Sequence, residues 1–525
     1  MKKLKSIFTG IFIASILSLP LNSCKDYLDV NNNPNYPTDG TLATLLPSAC
    51  ATTIAQYGLN GVILGTMWLQ HTTQGNSTNQ YNTTVNYTFT TASYNAIWTN
   101  AYANTLPDLK LVIERAEKEN AWNYWVIAKI LTAYNFHMLT DLYEDIPYTE
   151  ALQAEAIKQP KYDDSKSVVY PALLKMLDDA IAKESDATAS SNPVLTKQDL
   201  FFKGVISKWI AFAKSLKLKI MMRDFNTYKT QISSLLSAGG LLEENCAVTT
   251  FEDATNKGNP LYEYNIRQLN TTENIRACHT LCEFLLNYSD PRIENIYELT
   301  AVASGKIAKG ETLTYAQKYE GLPCGTKPPT SGNGSVPLTN SSKFKESFSD
   351  PVYLMNDAEA EFLIAEAYAR IGDSGKAKTY YDKGVTKSFD RWKESASKAS
   401  TFITDGGAYA FNASTTETMV KSIMTQKWIS YAKANALDGV FDRNRTGYPS
   451  IDPSSVVRVS DSDRSKGLTS GYILGTLVAP GATTLQPSEF PRRLLVPDAS
   501  AQYNVNAPKT KALGVPMWWQ VASGK

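Results

Sequence analysis

Apolar residues recur along most of this chain at steps of three and four. Leu109, Val112, Ile113 and Ala116 make one stripe, and Ile127, Ile130, Leu131, Tyr134 and Met138 make a second. Val169, Leu173, Leu177 and Ile181 form a third, and Val205, Trp209, Phe212, Leu216 and Ile220 a fourth. Val420, Ile423, Met424, Lys427 and Tyr431 close the series near the C-terminus. Each stripe is one face of an amphipathic helix. Short polar turns such as Glu117-Lys118-Glu119-Asn120 join neighbours, which predicts antiparallel pairs.

One pair carries more detail. Ile364, Ala365, Tyr368, Ala377, Tyr381 and Gly384 match the small and aromatic positions of a tetratricopeptide repeat of roughly 34 residues, with Ile371-Gly372-Asp373 at its turn. Small residues there let two helices cross closely. Glu361 stands where that repeat opens on Trp, and no second copy is as clear.

Two stretches break the helical period. In Thr72–Thr91, Tyr81, Thr83, Val85, Tyr87 and Phe89 alternate with polar residues, which predicts a strand. Ala301–Ser349 is rich in Gly, Pro, Ser and Thr and predicts irregular loop. Long insertions on a rigid scaffold are where binding residues concentrate.

The first residues read as an address rather than as fold. Lys2, Lys3 and Lys5 precede an apolar run from Ile7 to Leu21, too short for the ~20 apolar residues of a membrane span. Leu21-Asn22-Ser23-Cys24 resembles a bacterial lipobox, with Cys24 as the lipidated first residue of the mature chain. Residues 1–23 are therefore expected to be a lipoprotein signal peptide and 24–525 a single mature domain. Asp26 and Asp29, close behind Cys24, resemble the surface-export signal of some Gram-negative lipoproteins, which implies exposure at the cell surface.

Composition narrows the function. Of the 52 basic residues three lie in the leader, leaving 49 against 51 acidic ones, a net of −2. That balance gives no basic field for nucleic acid and suits a neutral ligand. Tyr is the commonest aromatic, 29 against 18 Phe and 9 Trp, and Tyr is the ring that serves wet binding faces. The three His (His71, His137, His279) have no metal-ligand spacing, and Cys278 with Cys282 lacks two further ligands nearby. There is no phosphate-binding Gly loop and no nucleophile elbow. Neither metal, cofactor nor catalytic constellation is expected. The carboxylates of Asp141, Glu144 and Asp145 could suggest glycoside hydrolysis, but they sit at a helix end before a Pro-directed turn.

A series of short motifs, each weak alone, becomes specific by its order. It begins with Asp26-Tyr27-Leu28-Asp29-Val30-Asn31 and Asn33-Pro34-Asn35. Trp98 with Tyr102 and Asn104, then Asp145-Ile146-Pro147-Tyr148-Thr149-Glu150-Ala151, come next. Lys208-Trp209 with Arg223, Asp290-Pro291-Arg292, Ala365-Glu366-Ala367 and Gln426-Lys427-Trp428 follow. Arg445-Thr446-Gly447-Tyr448-Pro449, Phe490-Pro491-Arg492-Arg493-Leu494 and Trp518-Trp519 complete the order. Together they resemble the SusD/RagB family of outer-membrane nutrient-binding lipoproteins, from Cys24 to Trp519. The resemblance implies a mainly α, tetratricopeptide-like fold with long irregular insertions, a few short strands and a single SusD-like domain. It implies a lipid-anchored outer-membrane protein that binds glycan and delivers it to a SusC-like TonB-dependent barrel. Asp-Pro-Arg and Arg-Arg are expected to hold loops by charge-assisted hydrogen bonds. The alternatives are oligopeptide capture by the same lid mechanism, on the RagB side of the family, and a scaffold that only docks proteins.

Relatives that bind starch place ligand aromatics before the Trp-x-x-x-Tyr motif. The same region here offers Trp68, Gln70, Asn79, Tyr81 and Tyr87, with Tyr262–Asn270 and Tyr315–Tyr319 as second candidates. Ile63, Leu64 and Met67 share an apolar helical face with Trp68, which also fits a core position.

Overall fold

The computed structural model describes residues 40–521 apart from 76–79, 154–155, 271–273, 326–340, 395, 458–471, 481–482, 484 and 487. The leader, Cys24 and Asn79 lie outside these residues.

Helices dominate. The N-terminal group comprises α1 (Leu42–Gln56), α2 (Val62–Trp68), α3 (Asn82–Val85), α4 (Leu106–Glu119), α5 (Trp122–Tyr143), α6 (Tyr170–Ala182) and α7 (Ile206–Met221). A middle group comprises α8 (His279–Asn287), α9 (Ile293–Ile296), α10 (Ala301–Ala308) and α11 (Tyr315–Lys318). The C-terminal group is α12 (Asp357–Ile371), α13 (Ser374–Arg391), α14 (Thr416–Ser430) and α15 (Ala436–Thr446). Six short strands pair in two-stranded sheets: β1 (Thr72–Gln74), β2 (Cys246–Val248), β3 (Ile275–Ala277), β4 (Val352–Met355), β5 (Ile451–Val457) and β6 (Leu477–Pro480). The antiparallel pair β1–β3 aligns Thr73 with Arg276, and β2–β4 is also antiparallel. A further two-residue pair joins Ile146–Pro147 to Tyr162–Asp163.

The predicted helical stripes are core faces. Leu109, Val112 and Ala116 of α4 are buried, as are Leu173 and Leu177 of α6 and Trp209, Phe212, Leu216 and Ile220 of α7. Val205 is the exception: it precedes α7 and stands exposed. Asn120 ends α4 in the left-handed region at φ 55°, and its turn leads directly into α5. α5 departs from the amphipathic expectation, because nearly every residue of its 22 is buried. Some of its polar side chains bond back to the helix's own carbonyls. Thr132 donates to Ala128 O at 2.7 Å, and Asn135 Nδ2 donates to Leu131 O at 2.9 Å. A helix apolar all round is a central one.

The repeat-like pair is α12 and α13. Gly372 turns the chain at φ 101°, and the carboxylate of Asp373 caps α13 by accepting from Lys376 N at 2.9 Å. A Cβ placed on Gly384 would lie 2.7 Å from the ring of Phe362, so this glycine permits the close crossing.

Two expectations need correction. The alternating segment after Gln74 is not a strand. Among the described residues of Thr72–Thr91, Thr72–Gln74 is the strand, and Asn82–Val85 is the helical turn α3. Local side-chain bonds won: Asn86 Nδ2 donates to Asn82 O at 3.0 Å and to Asn82 Oδ1 at 2.8 Å, and Tyr87 follows at φ 54°. Ala301–Ser349 is not wholly irregular either. Thr300 caps α10 by accepting from Ala303 N at 3.1 Å, and Thr314 with Gln317 forms a capping box on α11.

Candidate functional site

The charged residues of the ordered motifs are mostly internal. The Arg292 guanidinium grips Asp290 through Nε at 3.0 Å and Nη2 at 2.6 Å, and its Nη1 donates to Ser388 Oγ at 3.0 Å. Arg445 Nη2 donates to Glu366 at 2.6 Å and to Asp442 at 2.8 Å, while Lys427 pairs with Asp442 at 2.6 Å. Lys219 meets Asp438 at 3.0 Å. Arg492 Nη1 donates to Asn444 O at 3.2 Å, and Arg493 Nη1 to Glu144 at 2.8 Å. Those of Arg292, Arg492 and Arg493 hold the turn at Asp290–Arg292 and the loop at Arg492–Arg493 to distant parts of the chain, as expected of Asp-Pro-Arg and Arg-Arg.

The same bonds account for the carboxylates that could suggest hydrolysis. Asp141 is fully buried. Burial disfavours its charge, yet Arg223 at 2.6 Å and His137 beside it hold its carboxyl below the usual range. Glu144 is held by Lys511 and Arg493, and Asp145 accepts from Ser165 N at 2.9 Å. Each works as a clamp between segments.

The described N-terminal candidates, Trp68, Gln70, Tyr81 and Tyr87, are buried too. Trp68 is 1% exposed and packs edge-to-face against Tyr87, Phe89 and Phe490. Gln70 is a bridge: its Nε2 donates to Val478 O at 2.6 Å, and its Oε1 accepts from Val478 N at 2.9 Å and Thr280 Oγ1 at 2.7 Å. Tyr87 is fully buried and Tyr81 is 5% exposed. None offers a ring face to solvent, so the expectation that they contact ligand does not carry into the site proposed below. Cys278 and Cys282 are buried thiols, consistent with apolar filling.

The second candidates fare differently. Tyr262 is half-buried, with the Arg267 guanidinium over its ring at 5.5 Å and Phe348 edge-on at 6.2 Å. Tyr264 accepts from Gln80 Nε2 at 3.0 Å, and Asn265 Nδ2 donates to Glu346 at 2.7 Å. Asn270 is exposed. Tyr315 and Tyr319 stack with centroids 6.4 Å apart and planes 25° from parallel. Tyr315 is half-buried and Tyr319 is buried.

Beside that pair opens a cleft of about 440 Å³, lined by Glu294, Tyr297, Glu298, Leu299, Ser304, Ile307, Lys318, Tyr319 and Lys345. Two other hollows, of about 20 Å³ each, hold no more than a water. The cleft lies in the size range of small-ligand sites. α9, α10 and α11 build its walls with the segment through Lys345, whose N–H donates to Ile296 O at 3.0 Å. Two carboxylates face two ammonium groups among apolar and aromatic side chains. That suits an uncharged ligand with many hydroxyls: rings and Leu299 or Ile307 meet apolar faces, and charged groups fix orientation. Tyr315-x-x-x-Tyr319 was visible in sequence. Glu294, Glu298 and Lys345 were not, because they come from segments that only the fold brings together.

Helical pairs that carry an open polar–aromatic cleft, with the interior carboxylates used as clamps, define a binding protein of SusD-like class. The chain belongs to the SusD-like family described as starch-binding and associating with the outer membrane, which matches residues 34–464. A solved chitin-binding protein is 23% identical with a TM-score of 0.71, covering 92% of this chain and 100% of its own. A SusD homologue from Bacteroides uniformis is 22% identical with a TM-score of 0.67, over 92% and 99% of the two chains. A chitin-binding SusD homologue from Flavobacterium johnsoniae is 19% identical with a TM-score of 0.67, over 91% and 100%. These likenesses show a shared fold. No curated protein sequence matches the chain. Among the described residues, no helix is long and apolar enough to cross a membrane.

Proposed function

We propose that this chain captures glycan at the outer face of the outer membrane and hands it to a SusC-like TonB-dependent barrel. Cys24 is the lipid attachment point, residues 1–23 are removed, and 24–525 form the binding domain. The observation that carries the reading is the cleft beside Tyr315 and Tyr319, where half-buried and buried rings adjoin balanced acids and bases. A family described as starch-binding, and two structural relatives named for chitin binding, support glycan over other neutral ligands.

The test is calorimetry of the mature chain, starting after Cys24, against a panel of neutral polysaccharides and oligopeptides. A Tyr315→Ala variant runs beside it, with Tyr368→Ala as control. Tyr368 is also half-buried and stacked, on Tyr380, but lies on the α12–α13 pair away from the cleft. Losing a stacking ring is expected to weaken glycan binding roughly tenfold in Tyr315→Ala and not in the control. Equal affinities in all three proteins remove the stacked Tyr315–Tyr319 pair beside the cleft from the ligand site. Binding of peptides alone replaces glycan capture with peptide capture.

A further inference from the structure

One wall of the cleft is hydrogen-bonded to the fold only at its two feet. Residues 301–313, which bring Ser304 and Ile307 to the cleft, leave the body at Thr300 and rejoin it at Thr314. Thr300 N donates to Lys318 O at 3.0 Å, which draws the feet together, and Thr314 caps α11. Both threonines are extended, at ψ 153° and 165°. Among the described residues, every hydrogen bond of 301–313 closes within the segment or back onto Thr300. Burial adds little. Ala303 is the one buried residue of the segment, Leu313 is half-buried and the others are exposed. Ile307 is 39% exposed although it lines the cleft, and Val302 is 49% exposed.

Within the segment, α10 is finished at both ends by its own residues. A helix of 8 residues is marginal in water by itself, so α10 depends on its ends. At the start, Thr300 Oγ1 accepts from Ala303 N at 3.1 Å. At the finish, Gly310 turns at φ 88° and its N–H donates to Ile307 O at 2.9 Å, while Glu311 N donates to Lys306 O at 3.1 Å. That pair of bonds closes a helix that ends on glycine. A capped helix with its bonds turned inward and one buried methyl group can move as a body without breaking a hydrogen bond to the fold.

We propose that residues 301–313 are a flap that closes over ligand held in the cleft and lays Ile307 against it. This closure rests on the cleft being the ligand site and adds how that site opens and shuts. The caps keep α10 formed whether the flap is open or closed, so closing orders few residues anew. The apolar surface of Ile307 stands in water while the flap is open and is covered when ligand is held. Closure and binding therefore favour each other. Gly305 lies on an open side of α10, where an added Cβ meets no atom within 4 Å. A change there acts on the helix and not on a neighbour.

Hydrogen exchange, read by mass spectrometry on the mature chain starting after Cys24, tests the flap with maltohexaose and chitohexaose as probes. In the free chain, α10 amides should exchange on the order of a thousandfold faster than those of the largely buried α12. With a probe that calorimetry shows to bind, α10 exchange should slow at least about tenfold at saturation while α12 stays unchanged. Two variants read the flap through affinity. Gly305→Pro breaks α10, and Ile307→Ser keeps the helix without its apolar contact. Each should weaken binding roughly tenfold and leave the melting temperature within about 1 °C, because α10 lies outside the core. Amides of α10 as slow as those of α12 in the free chain overturn the proposal. So does a bound probe that leaves α10 exchange unchanged, or variants that bind as tightly as the parent chain; in these cases the flap alone fails. If neither probe binds, the calorimetry overturns the flap together with the glycan reading.

Discussion

Glu346 is a carboxyl group that the fold holds against its ordinary chemistry. Its Oε1 accepts from Asn265 Nδ2 at 2.7 Å, while its Oε2 is buried without a hydrogen-bond partner. Burial pushes its pKa up to about 8, with Asn265 and Lys433 opposing the rise and Asp350 and Glu298 adding to it. The Tyr81 hydroxyl is also buried without a hydrogen-bond partner. A raised acid favours folding in its protonated form, so its contribution is complete below the unfolded value near 4.5. It declines as pH rises towards about 8, because the unfolded chain then binds fewer protons than the folded one. Glu346→Gln keeps the shape and removes the charge. It should leave stability unchanged at pH 4 and raise it by about 2 kcal/mol at pH 8.5, allowing for partial solvent access. Denaturant melts at the two pH values decide this; equal effects at both would mean that Glu346 is not held protonated. At this scale the sequence was least legible. Gln70 and Tyr87 stood out as polar and aromatic positions in a Tyr-rich stretch. That they face inward depends on Val478 and Phe490, hundreds of residues away, and no local pattern signals such a partner.

Helices were legible because their stripes are local, and so was the α12–α13 turn, whose Gly372 and Asp373 are local signals too. What the stripes could not show is how near the helices come. Gly65 of α2 sits against the start of α15, and a Cβ there would lie 2.4 Å from the carbonyl carbon of Ala436 and 2.4 Å from the nitrogen of Leu437. The nearest atoms to such a Cβ on Gly384 of α13 belong to a side chain, the Phe362 ring at 2.7 Å. Backbone cannot turn aside as a ring can, so the two glycines should differ. Gly384→Ala is expected to destabilise by about 1 kcal/mol and Gly65→Ala by about 3 kcal/mol, at the two ends of the usual range for overpacking. Paired chemical denaturation curves measure the difference, and a reversed order would contradict the packing described for α2 and α15. The strand expected after Gln74 failed at this scale for a local reason. Period-two alternation among Thr and Asn does not distinguish a strand from a turn that those same side chains cap.

For the whole molecule, the proposed anchor and the proposed binding site lie on different stretches of the sequence. The described motifs prove to be mainly interior clamps: Arg292–Asp290, Arg445–Glu366 and Arg493–Glu144 are buried ion pairs. That explains why the family could be recognised from motifs while the ligand residues could not. The clamps belong to the fold itself, whereas the proposed ligand residues Glu294, Glu298 and Lys345 come from segments that only the fold brings together. The proposed membrane attachment resides in Cys24, and the proposed binding resides in residues of α9 to α11 and the segment through Lys345. Acyl chains on one cysteine add roughly 0.8 kcal/mol of membrane affinity per buried methylene, and the cleft contributes nothing to that term. Cys24→Ala should therefore move the chain from the membrane fraction to the soluble fraction of cells. The purified variant should bind glycan with the affinity of the mature domain. Fractionation followed by calorimetry tests both halves. A variant that stays with the membrane would place the anchor elsewhere. A variant that is released but binds more weakly would mean that the lipid-bearing segment contributes to the ligand site as well as to attachment.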